Sequence, residues 1–179
     1  LIMILEIRES PSLTGFVVFG LFLGLTFLSK YAASYFLVCL FFYCLFDRKI
    51  RDILISNKLN FVFSLLVALV VVLPNIVWNF NNGWVTLIHT SDNANLSNFD
   101  FEFFRGVIFL IVQILMIGPI IFLGSIIFSK KAPLDNNLIF LLAFSVPIIV
   151  IIFVEAILVR ANANWAAPAL VCLLVFLIK

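Results

Sequence analysis

Apolar residues run almost unbroken over residues 13–28, 32–46, 59–77, 106–128, 138–159 and 167–178, and the short segments between them hold nearly all of the charge. The pattern predicts six membrane helices, an all-α polytopic bundle. Runs 59–77, 106–128 and 138–159 each have about the 20 residues needed to cross roughly 30 Å of hydrocarbon, so each is expected to span unaided. The first two runs, about 16 and 15 residues, reach only roughly 22 to 24 Å at the helical rise and are parted by Ser29, Lys30 and Tyr31 alone. They predict a hairpin of short helices whose turn faces a cavity, because irregular backbone is not tolerated against lipid. The longest polar interval, Val77 to Phe104, reads as an outer loop.

Composition agrees with the pattern. Of 179 residues 65% are hydrophobic and 11% charged, with 22 phenylalanines, too much apolar surface for a soluble domain to cover. A net charge of +2, scattered, excludes a nucleic-acid surface. Cys39, Cys44 and Cys172 all fall in apolar runs and imply neither a disulfide framework nor a metal site. The chain opens on the apolar Leu1 to Leu5 and reads as one transmembrane domain over 1–179, part of a longer polypeptide.

The basic residues set an orientation. Arg8, Arg48, Lys49, Arg51, Lys58, Lys130, Lys131 and Lys179 share one side, and only Lys30, Arg105 and Arg160 share the other. The richer side is expected in the cytoplasm. Lys30, the 77–104 interval and the Arg160–Pro168 turn are then on the outer face.

Lys30 is the sharpest candidate for chemistry. A charge between two short apolar helices must reach water, pair, or meet an anion, so a phosphate contact and a lysine snorkelling to the headgroups both stand. Arg160 lies just beyond Glu155, where an ion pair along one helix face competes with a cation aimed into the outer cavity. His89 precedes Thr90, Ser91 and Asp92, but consecutive residues do not converge as a triad does; it is a candidate hydrogen-bonding residue. Asp100 and Glu102 alternate with Phe99, Phe101, Phe103 and Phe104, a pattern for a segment lying in the interface. Gly20 and Gly24 form a GxxxG suited to close helix packing, and Asn95-Leu96-Ser97 is a formal glycosylation sequon. No metal-ligand spacing and no cofactor motif occurs.

Three motifs in order carry a resemblance: Gly20 to Tyr31 (GLFLGLTFLSKY), Leu73-Pro74-Asn75-Ile76-Val77-Trp78-Asn79 followed by Gly83-Trp84 and His89, and Ala163-Asn164-Trp165-Ala166-Ala167-Pro168-Ala169. Over nearly its whole length the chain resembles the GT-C class of polyprenyl-phosphate-sugar-dependent glycosyltransferases, in the bacterial branch related to protein O-mannosyltransferases and the lipid A aminoarabinose transferase. The resemblance implies a multi-pass enzyme of the bacterial plasma membrane. It implies transfer of a sugar from a polyprenyl-phosphate carrier to a hydroxyl of a lipid, glycan or protein acceptor on the outer face. Substrate-binding candidates are then Lys30 and Tyr31 at the hairpin turn, Asn79 and His89 in the polar interval, and Arg160 and Asn164 near the last helix. Lys30 is the first candidate for the phosphate and Arg160 the second.

One departure matters. In that family the essential acid lies in the first outer loop, near the amino terminus, and no Asp or Glu here occupies a matching motif. The catalytic base is thus expected upstream of this chain, and the chain alone is expected to be inactive. A transporter or flippase subunit for an anionic lipid or solute is the rival from another class, though no inverted repeat supports it. An inactive structural remnant is the third reading.

Overall fold

The computed structural model describes residues 1–93, 99–128 and 135–178. Among these, every regular element is helical: α1 (Ile2–Glu9), α2 (Leu13–Ser29), α3 (Ser34–Phe46), α4 (Arg48–Ser56), α5 (Lys58–Asn81), α6 (Val85–Asn93), α7 (Phe103–Ile117), α8 (Pro119–Phe128), α9 (Asn136–Ala143), α10 (Val146–Leu158) and α11 (Ala167–Ile178). Short 3-10 turns at Tyr31–Ala33 and Ala163–Ala166 lead into α3 and α11. All six apolar runs are helical, and the all-α class holds. The sequon Asn95-Leu96-Ser97 and the lysines at 130, 131 and 179 lie outside the described residues.

Residues divide into two compact units, Leu1–Leu37 with Cys44–Val85, and Val38–Tyr43 with Thr86–Lys179. In the first, α2 packs along α5. The reason is steric: a Cβ at Gly20 would overlap the backbone carbonyl of Ser64, and one at Gly24 would come within 2.7 Å of Val71 Cβ and 2.8 Å of the Ala68 carbonyl. Backbones this close gain dispersion contacts that lipid chains cannot match, which is what GxxxG spacing provides. α2 begins where Ser12 Oγ accepts the Gly15 N–H at 3.0 Å and ends where Lys30 turns to extended backbone.

The same unit carries a charged knot. Arg8, at the end of α1, holds Asp47 Oδ2 through Nε at 2.9 Å and Nη2 at 2.8 Å. Asp47 Oδ1 accepts the Ile50 N–H at 3.1 Å, capping α4. Glu9 completes the set, bonding Arg8 Nη1 and Lys49 Nζ, each at 2.6 Å. With Asp47 3% and Arg8 8% exposed, both charges are desolvated, and the shared geometry offsets what burial costs them.

In the second unit the core gathers on Tyr43, whose ring meets Phe140 and Phe144 edge-on at centroid distances of 5.3 and 6.0 Å. α7 packs against α10 at Gly106, where a Cβ would come within 2.6 Å of Ile157 Cγ1.

Two expectations are corrected. Run 106–128 is no straight span: α7 and α8 meet at 89°. Gly118 takes φ 98, outside the helical region, and Pro119 has no N–H to continue the hydrogen-bond ladder. Two helices, Lys58–Asn81 and Asn136–Leu158, are long and apolar enough to cross a membrane, or three with the bent pair taken as one. The described part of the interval 77–104 is largely helical too. α5 runs on to Asn81, and α6 follows a tight turn with Gly83 at φ 68 and Trp84 at φ 59. The Asn79 carbonyl accepts the N–H groups of Asn82 at 3.1 Å and Trp84 at 2.8 Å, so the turn satisfies the helix end from within. Low helix propensity in the Asn-rich stretch hid this.

Candidate functional site

In the first unit, Lys30 stands at the break between α2 and the 3-10 turn. Its N–H closes α2 onto the Thr26 carbonyl at 3.0 Å, and its own carbonyl accepts the Ala33 N–H at 3.0 Å, so the backbone is fixed from both sides. The side chain is exposed and makes no hydrogen bond or ion pair among the described residues. An ammonium on a rigid base and without a counter-charge is available to an external anion.

Next in sequence, Tyr31 reaches α5. Its hydroxyl donates to Asn75 Oδ1 at 2.9 Å, and Asn79 Nδ2 lies 3.4 Å from the same hydroxyl. Asn79 Nδ2 also donates to the Asn75 carbonyl at 3.0 Å and approaches Asn75 Oδ1 at 3.3 Å. Asn79 is 2% exposed, and its amide is satisfied inside this node. Two of the predicted residues, Tyr31 and Asn79, are therefore brought together in a node that holds the turn bearing Lys30.

Asn75 is the member the sequence reading did not single out. A signal existed: Asn75 and Asn79 are four residues apart, on one face of α5 and just after its apolar stretch 65–74. Pro74 beside it leaves the Val70 carbonyl without a helical donor, a local weakening of the ladder at the same level.

The remaining candidates fall in the second unit. His89 sits on α6, exposed, its Nε2 accepting from Asn93 Nδ2 at 3.1 Å. Arg160 follows α10, exposed, and no ion pair joins it to Glu155. Asn164 is exposed on the 3-10 turn ahead of α11.

The ion-paired arginine here is Arg105. It meets Asp100 Oδ2 at 3.1 Å and Glu102 Oε2 at 2.9 Å, and donates to the carbonyls of Val159 and Asp100. The Asp100 and Glu102 N–H groups bond the carbonyls of Leu158 at 3.0 Å and Ile157 at 2.9 Å. Residues 99–102 thus form an extended strap along the end of α10, with Phe99, Phe101, Phe103 and Phe104 exposed. Arg105 and Arg160 both line a cleft of about 190 Å³ with Ile108, Phe109, Val112, Ala156, Ala161 and Ala163. Behind it, buried Gln113 donates through Nε2 to the Ala163 carbonyl at 3.0 Å and leaves Oε1 without a partner.

Residues 1–78, which include the Lys30 turn and most of α5, match the family described as dolichyl-phosphate-mannose-protein mannosyltransferase. The lipid A galacturonosyltransferase RgtD of Rhizobium johnstonii (strain DSM 114642 / LMG 32736 / 3841) is 32% identical over 162 residues, 87% of this chain and 33% of that relative. Both matches are to glycosyltransferases, and the chain is similar to the GT-C class. With that likeness and its apolar helices it is an integral membrane protein. It spans about a third of the length of the curated relative it matches. No solved structure matches it.

Proposed function

We propose that this GT-C-like chain forms part of a multi-pass enzyme, in a bacterial plasma membrane, that transfers a sugar from a polyprenyl phosphate to an acceptor hydroxyl on the outer face. The observation that carries the reading is Lys30: a side chain without a counter-charge, on a backbone fixed at a helix break, beside the Tyr31–Asn75–Asn79 node. In the reaction the acceptor oxygen attacks the anomeric carbon, the bond from that carbon to the phosphate oxygen breaks, and the lipid phosphate leaves with the electron pair. Lys30 stabilises the charge that grows on this phosphate. The acceptor's proton passes to a carboxylate base, a role this reading gives to no carboxylate of this chain. The relative's name supports a membrane lipid as acceptor and a hexuronic acid as the sugar.

The test is transfer of radiolabel from polyprenyl-phosphate sugars to membrane lipid in membranes that carry the chain. A charge-assisted contact is worth about 1.5–3 kcal/mol, so Lys30→Ala is expected to lower transfer by about tenfold to a hundredfold. Unchanged transfer removes Lys30 from the reaction. No transfer from any carrier removes the transferase reading itself.

A further inference from the structure

Among the described residues, Trp84 is the one residue other than glycine whose backbone takes a positive φ, at 59°. That conformation disfavours any side chain, and strain of this kind persists where the group it aims has a task. The turn that imposes it is held from within: the Asn79 carbonyl accepts the Trp84 N–H at 2.8 Å, and Asn82 Nδ2 donates to the Trp78 carbonyl at 2.7 Å. Anchoring an indole at the membrane boundary needs no such turn, because Trp78, on the helical backbone of α5, is already 50% exposed. What the turn adds is placement. The Trp84 indole stands at 87° to the Phe80 ring, centroids 6.4 Å apart, with Phe80 70% and Trp84 40% exposed. Rings set edge to face do not stack flat on each other, so flat aromatic surface stays open. The exposed amides of Asn81 and Asn82 lie in the same turn.

A pyranose ring has a face of weakly positive C–H groups, which suits the negative face of an aromatic ring, and a rim of hydroxyls, which suits amides. We infer that Trp84, with Phe80 and the amides of Asn81 and Asn82, holds the pyranose ring of a sugar substrate. The position agrees. Asn79 bonds the Trp84 N–H through its carbonyl, and its amide lies 3.4 Å from the hydroxyl of Tyr31, the neighbour of Lys30, so one residue ties the platform to the turn given the phosphate. The inference rests on the transferase reading for the class of ligand and adds the group that grips the sugar itself.

Binding is measured without transfer, so transfer that depends on Lys30 while no sugar reaches Trp84 keeps the transferase reading and removes the platform. The purified chain in detergent is offered methyl mannoside or methyl galacturonoside, with open-chain sorbitol as the polyol lacking a ring face, and contact is read by saturation-transfer NMR on the sugar C–H signals. At least one pyranoside is expected to bind saturably, about tenfold or more tighter than sorbitol. Trp84→Gly, whose backbone accepts the positive φ, is expected to melt no lower than Trp84→Tyr and yet to lose about tenfold in affinity, while Trp84→Tyr keeps most of it. Trp78→Phe is expected to leave binding unchanged. No contact with either pyranoside, equal contact with sorbitol, indifference to Trp84→Gly, or an equal loss in Trp78→Phe overturns the site. With Trp78 and Trp165 both replaced by phenylalanine, quenching of Trp84 by lipids brominated in the acyl chain places the ring in hydrocarbon and overturns it as well. Mannose 1-phosphate distinguishes the source of the ring: binding about tenfold tighter than methyl mannoside, with the gain lost in Lys30→Ala, assigns the ring to the donor, and equal binding of the two assigns it to the acceptor.

Discussion

The Tyr31 hydroxyl donates to Asn75 Oδ1 at 2.9 Å across 44 residues of sequence, so the turn that carries Lys30 is anchored to the last third of α5. Removing the hydroxyl in Tyr31→Phe leaves Asn79 Nδ2 its bonds to Asn75, and the expected cost is about 1 kcal/mol. Asn75→Leu removes the side-chain acceptor of the Tyr31 hydroxyl and is expected to cost more, because the half-buried hydroxyl then meets an apolar side chain, while Asn79 keeps its bond to the Asn75 main-chain carbonyl. Thermal unfolding in detergent followed by tryptophan fluorescence ranks the two; a cheaper Asn75→Leu would show that the node is not structural.

Arg8 and Asp47 make the second test. Arg8→Gln strands a buried carboxylate, and about 3–5 kcal/mol is expected. Asp47→Asn takes the buried carboxylate from a guanidinium that keeps Glu9 and retains an oxygen for the Ile50 N–H, whereas Asp47→Ala also loses the cap, about 1 kcal/mol more. Denaturant unfolding of the three variants gives the order. Equal losses in Asp47→Asn and Asp47→Ala would deny the cap its role.

Glu9 gives the expected pH dependence. Its carboxyl is held below the ordinary value of 4.5, first by the Lys49 ammonium and then by Arg8. A folded-state value lower than the unfolded one means the contribution is fully present above about 4.5 and is lost as the pH falls through the lowered value. Melting temperatures measured from pH 7 down to 3 should therefore fall less steeply at the acid end in Glu9→Gln than in the parent. Parallel curves would separate Glu9 from the acid loss.

Two glycines should respond to alanine for opposite reasons. At Gly20 the added methyl meets the Ser64 backbone, which cannot yield without parting α2 from α5, at about 1–3 kcal/mol. At Gly83 nothing lies within 4 Å, and only the backbone at φ 68 resists, at about 1–2 kcal/mol. Gly20→Val should then be far worse than Gly20→Ala, and Gly83→Asn close to neutral. The same unfolding assay checks both.

The apolar runs were legible because hydrocarbon thickness imposes a length that composition alone reveals, and the GxxxG pair was legible as a place of close approach. What the sequence hid has specific causes. The Gly118-Pro119 dipeptide was present but sat inside an apolar run, and hydropathy does not register a bend. α4 was concealed among charges that serve the Arg8–Asp47 knot, with only Ile50 buried. At the candidate site, Lys30, Tyr31 and Asn79 could be picked out as polar groups in costly places. That Tyr31, Asn75 and Asn79 form one node could not, because a contact across 44 residues leaves no local pattern. For Arg160 the ion pair with Glu155 that the sequence allowed is not formed, and the pairing falls to Arg105 instead.

Trp84 is the one non-glycine residue with positive φ among those described, at 59°, and its ring stands edge-on to Phe80 at 6.4 Å. A left-handed backbone costs a side-chain-bearing residue about 1–2 kcal/mol, and glycine or asparagine would escape most of that. Neutral drift at this codon should therefore run toward those two residues. Where a tryptophan persists across descendants of this chain, it does so against the local backbone preference, and the indole itself is what selection is keeping.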